Sequence, residues 1–107
     1  MARAVTLCSM VEAIQHRSAA IVSADVVGYS RLMGEDEAGT HATLRGHRTE
    51  FIEPLIAQHG GRIVKTMGDG LLLEFVDAID AVRCSVEFQE GMLARNVDIP
   101  DDKKIVF

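Results

Sequence analysis

Apolar positions recur at two spacings along the chain, and the switches between them mark the elements. Residues 20–27, "AIVSADVV", are nearly all small or β-branched, the composition of a strand buried on both faces. Alternation sets Ile21, Ser23 and Asp25 on one side and Val22, Ala24 and Val26 on the other. Gly28 ends the strand, and "YSRLM" makes a short helix beginning beside it. From Glu35 the spacing becomes helical, with Leu44, Phe51, Ile52, Leu55 and Ile56 in one stripe. "EDE" stands at the positive end of that helix dipole. Pro54 should bend the helix or loosen the turn before it, and Gly60-Gly61 should stop it.

Period two returns in residues 62–67 and 71–75, around Gly68-Asp69-Gly70. An Asp-Gly pair between apolar runs is a strong hairpin signal. Alternation on the first of these strands puts Ile63, Lys65 and Met67 on one face. A further helix starts at the N-cap Asp77. Its expected core face is Ile79, Val82, Val86 and Leu93, flanked by Ala78, Ala81, Ser85 and Met92, with Asn96 as its stop. "NVDIPDDK" is a loop, and "KKIVF" opens another strand. Residues 1–18 stand apart, and Leu7, Met10, Val11 and Ile14 predict a short amphipathic helix there. It either packs on the domain or serves as a dimer-forming or signal-relaying arm. The predicted order from residue 19 onward is β-α-α-β-β-α-β. This is an α+β, ferredoxin-like (split βαβ) arrangement with a helix added after the first strand, and the first strand lies beside the third.

The 107 residues fit one domain, with 48% hydrophobic and 25% charged residues. No run approaches the roughly 20 apolar residues of a membrane span. "MARAVTLCSMVEA" imitates a signal peptide, but its apolar part is short and Glu12 follows at once. Cys8 and Cys84 lack metal or redox spacing and read as free thiols of a cytoplasmic protein. Of the four histidines, His41 and His47 are six apart while His16 and His59 stand alone, so no metal cluster is expected. A net charge of −5 argues against nucleic acid as a partner. A small phosphate ligand held by metal and backbone N–H groups is still compatible with it.

Three features carry candidate chemistry. Asp25 sits near the end of a strand expected to be buried, and Asp69 sits on a hairpin tip that strand pairing brings close to it. A buried carboxylate without a partner is costly. A divalent cation would resolve this, since Mg²⁺ takes one or two carboxylates plus phosphate oxygens. "VVGYS" turns into a helix whose first N–H groups suit phosphate, although glycine at a strand end is usually only a turn. Lys65 heads into the sheet; its plain reading is an edge-strand lysine reaching solvent, as that of Asp69 is a turn residue.

Together, "AIVSADVVGYSRLMGEDEAGT" and "HGGRIVKTMGDGLLLEF" resemble the catalytic domain of class III adenylate/guanylate cyclases, bacterial type, over residues 19–107. The resemblance rests on Asp-x-x-Gly-aromatic-Ser after a strand and on Lys-x-x-Gly-Asp-Gly. It implies two Mg²⁺ (or Mn²⁺) ions held by Asp25, Asp69 and the carbonyl of Val26. The triphosphate would meet the main-chain N–H groups of Val27, Gly28, Tyr29 and Ser30. Lys65 would read the base, which favours ATP over GTP. Such domains work as head-to-tail homodimers, so Asp25 and Asp69 would serve one site and Lys65 its mate. The implied product is a 3′,5′-cyclic nucleotide with pyrophosphate.

The chain departs from that family in length. The sequence corresponds to the N-terminal part of such a domain, truncated before the final strands. A second base-reading residue and the transition-state asparagine and arginine have no counterpart in it. The expectation is therefore little or no cyclase activity for this chain alone, with a non-catalytic cyclase-like dimerisation or regulatory module as the alternative. A diguanylate cyclase is the weaker third reading, because Gly-Gly-Asp-Glu-Phe is absent.

Overall fold

A computed structural model describes residues 19–107; the predicted arm and Cys8 lie outside the described residues. One antiparallel sheet contains β1 (Ala20–Asp25), β2 (Arg62–Met67) and β3 (Gly70–Phe75) in the order β1-β3-β2. Four α-helices, α1 (Tyr29–Glu35), α2 (Glu37–His47), α3 (Glu53–Gln58) and α4 (Ala78–Arg95), complete an α+β fold. The first strand pairs with the third, as the split βαβ order requires.

Local chemistry explains the element ends. Glu35 closes α1 rather than opening the next helix, and Asp36 caps α2 by accepting from the Gly39 N–H at 2.9 Å. Between α2 and α3 the chain makes a π-helical turn, Arg48–Ile52, in which the Glu53 N–H reaches the Arg48 carbonyl five residues back. Pro54 follows immediately and has no N–H to give, so the turn before it widens instead of breaking. After α3, Gly60 takes φ +72°; its N–H goes to Ala57 and that of Gly61 to Ile56. This is a Schellman stop, and its left-handed residue favours glycine. Asp77 caps α4 by accepting from the Asp80 N–H at 2.9 Å.

The core lies on one face of the sheet. Leu71, Leu73 and Phe75 of β3 meet Ile52, Leu55 and Ile56 of the helical layer and Ala81, Cys84, Phe88 and Met92 of α4. This corrects the expected face of α4. Ile79, Val82, Val86 and Leu93 are all more than half exposed, from 51% to 72%. The helix is apolar on two sides, and the side with small Ala81 and Cys84 comes closest to the sheet. With Ile21 and Val22 of β1, the outer side lines an open apolar groove.

Two strand expectations also change. β1 is not buried on both faces: Ala20, Val22 and Ala24 are half-buried, while Ile21, Ser23 and Asp25 are exposed. On β2, Ile63 pairs with Leu73 but Lys65 with Leu72, so Val64 is an extra residue. Such a bulge shifts the alternation by one. Ile63 therefore shares the core face, and Lys65 and Met67 share the open one. The predicted last strand is not formed within residues 104–107. A single backbone bond, from the Val27 N–H to the Val106 carbonyl at 2.7 Å, ties it to the chain leaving β1. No helix among the described residues is long and apolar enough to cross a membrane.

Candidate active site

The site is built where β1 ends against the β2–β3 tip. Asp25 is the last residue of β1 and lies opposite Gly70 in the β1–β3 register. Met67 and Gly70 are the last pair of the hairpin, leaving Gly68 and Asp69 as a two-residue turn. Gly68 takes φ +55°, which favours glycine there. A Cβ on Gly70 would stand 2.8 Å from Asp25 Oδ1, so the missing side chain gives the carboxylate its place. Asp69 is the next residue back along the tip. The two aspartates thus stand one strand spacing and one residue apart, as pairing predicts.

The burial argument for a metal does not hold. Asp25 is exposed and Asp69 is half-buried, so neither carboxylate needs a cation to offset desolvation. What remains is proximity and donor type. Both side chains offer hard oxygen, which suits Mg²⁺ or Mn²⁺. Among the described residues no group of three or more His, Cys, Asp or Glu comes together. A cation at the two aspartates would take its other oxygens from backbone, water or ligand.

The loop after Asp25 has a buried start and an exposed end. Val26 is 5% exposed and belongs to the core, whereas Val27 is exposed. Gly28 takes φ +68° at the start of α1 and has no side-chain cap bond. The amides that open a helix lack an intrahelical partner, which leaves those of Tyr29 and Ser30 available. The Val27 N–H differs, because Val106 already accepts it. Of the residues named for triphosphate contact, Val27 therefore has its amide engaged within the chain.

Lys65 lies on the open face, level with Leu72 and Ser23. It shares that face with Asp25, but β3 runs between them and Asp25 lies two residues farther along its strand, so the two are about 12 Å apart. The fold brings Asp25 to the Gly68–Gly70 tip and leaves Lys65 to one side. Sequence reasoning missed the part played by Gly70 in making room for Asp25. It also missed the hold of Val106 on Val27 and took Asn96 only as a helix stop. The Gly-Asp-Gly spelling was the available signal for the first; nothing local signals the others.

No family model matches the chain. Over 95 residues, 89% of this chain, it is 50% identical to a Rhizobium meliloti (strain 1021) protein named "Putative adenylate cyclase 3", spanning 16% of that protein. The solved adenylate/guanylate cyclase/hydrolase of Silicibacter pomeroyi is 43% identical, with a TM-score of 0.73 over 84% of this chain and 53% of that one. The guanylyl cyclase Cya2 shares the fold at a TM-score of 0.62 and 23% identity, over 76% of this chain and 46% of that one. The chain therefore spans about half of the solved chains it matches and a smaller part of the curated relative. With the Asp25–Gly70 pairing, the Gly68–Gly70 tip and the β1-β3-β2 sheet in place, the chain shares over most of its length the sequence and fold of class III adenylate/guanylate cyclase domains.

Proposed function

We propose that this domain binds a nucleoside triphosphate, ATP in preference to GTP, through divalent cations at Asp25 and Asp69, as part of a nucleotide cyclase. The observation that carries the reading is the seat of Asp25 over the bare Gly70, next to Asp69. The Val26 carbonyl is the natural third oxygen, one residue on. The Tyr29 and Ser30 amides offer donors to phosphate. Bound cations would acidify the ribose 3′-hydroxyl and offset charge on the leaving pyrophosphate. In the head-to-tail homodimer that the family resemblance implies, Lys65 reads the base held by the partner's carboxylates.

Calorimetric titration of Mn²⁺ with a non-cyclisable ATP analogue tests the proposal. Binding should require the metal and be lost in both Asp25→Ala and Asp69→Ala, with the circular dichroism of both variants unchanged. A folded wild-type chain that binds neither metal nor analogue would overturn it. The non-catalytic dimerisation or regulatory module would then be the better reading.

A further inference from the structure

We infer that Asn96 is a positioning residue for the metal-binding loop, acting through residues 105–106. Asn96 follows α4 and is 6% exposed, one of few buried polar side chains among the described residues. Its Nδ2 donates to the Ile105 carbonyl at 2.8 Å, and its Oδ1 accepts from the Ile105 N–H at 3.3 Å. A side-chain amide thereby satisfies both backbone groups of a residue that belongs to no helix or strand. Ile105 is 2% exposed, so those groups have no water to turn to.

The next residue completes the link. The Val106 carbonyl accepts from the Val27 N–H at 2.7 Å, two residues after Asp25. The loop of residues 26–28 is also held by the pairing of Asp25 with Gly70, by burial of Val26 in the core and by the Leu32 N–H bond to the Gly28 carbonyl at 3.1 Å, and Val106 is what fixes the Val27 amide between them. Asn96 thus fixes Ile105, Ile105 sets where Val106 stands, and Val106 anchors the loop that presents the Val26 carbonyl. Phe107, edge-on to Phe88 at 5.0 Å, and the Gln89 bond to its carbonyl at 3.1 Å steady the far end. A helix stop requires none of these contacts. This role rests on the metal-binding reading above.

Two measurements separate the inference from that reading. The first is amide hydrogen exchange, which needs no metal. In the wild-type chain the Val27 amide should be protected and should exchange together with that of Ile105. In Asn96→Ala both should lose protection by about tenfold or more, while Leu73 in β3 keeps its own. The second is Mn²⁺ titration followed by electron paramagnetic resonance. Asn96→Ala should weaken Mn²⁺ about tenfold, as loss of an outer support does, with the melting of the β-sheet core retained. Val27 exchanging at a free-loop rate in the folded wild type, or independently of Ile105, would overturn the inference, as would Mn²⁺ affinity unchanged in Asn96→Ala. If Asn96→Ala does not fold, the wild-type exchange of Val27 and Ile105 decides alone. Coupled exchange with no Mn²⁺ binding in the wild type would instead overturn the metal reading and leave the Asn96 anchor of the loop standing.

Discussion

Gly70 matters for what it lacks. The Asp25 carboxylate lies where a Cβ at position 70 would press on it. In Gly70→Ala the atom that must yield is the end of a side chain, so the cost falls on the carboxylate rather than on the backbone. The expected outcome is a stability change of no more than about 1 kcal/mol. Mn²⁺ affinity should fall about tenfold with it. Parallel thermal melts and Mn²⁺ titrations check this; an unaltered affinity would show that the site tolerates a displaced Asp25. Lys65 teaches a different lesson at the same scale. Its type and distance from Asp69 were plain in the sequence, but its face was not. One extra residue, Val64, turned Ile63 and Lys65 away from each other.

At the scale of elements, helices sit as closely as their glycines allow. Gly91 of α4 faces the Phe51 ring so closely that a Cβ there would overlap it. Phe51 also meets Phe88 edge-on, with ring centroids 6.2 Å apart, so it has little room to retreat. Gly91→Ala should therefore destabilise by about 1–3 kcal/mol, the cost of overpacking, despite the better helix propensity of alanine. Gly34, in α1, has no atom within 4 Å of its would-be Cβ. Gly34→Ala should be neutral or stabilise by up to about 1 kcal/mol. The urea midpoint should fall in Gly91→Ala and hold or rise in Gly34→Ala; a matching gain in both would mean that propensity, not packing, governs these positions.

Across the whole molecule, a polar contact joins α2 to α4. Arg95 Nε donates to His47 Nδ1 at 2.8 Å, and Arg95 Nη2 pairs with Glu50 Oε1 at 3.0 Å. Burial, then the Arg95 guanidinium, hold the His47 pKa below 6.5, with Glu50 opposing them. A protonated His47 cannot accept from Arg95. The unfolded chain takes up its proton first, at the ordinary value of 6.5, so this contribution is whole above that pH. It is lost as the pH falls toward the lower folded value. Wild-type urea midpoints should thus decline between about pH 7 and about pH 5, and less steeply in His47→Gln. Parallel slopes in the two proteins would remove His47 as the cause.

What the sequence determined by itself is local. Caps, stops and turns were legible because each depends on a few adjacent residues: Asp77 before α4, Gly60 after α3, Pro54 at the π turn, Gly68-Asp69 at the tip. Asp25, Asp69 and Lys65 were legible as residue types at set distances along the chain, and so were the likeness to class III cyclase domains and the neighbouring of the first and third strands. Tertiary structure decided what depends on which surfaces meet. α4 has two apolar sides, and periodicity cannot rank them. The side carrying Ala81, Cys84, Phe88 and Met92 was selected because small residues permit close approach to the sheet, leaving Ile79 and Leu93 outside. The exposure of Asp25, its place over Gly70 and the hold of Val106 on Val27 likewise come from partners far away in the chain, whose geometry no local pattern encodes.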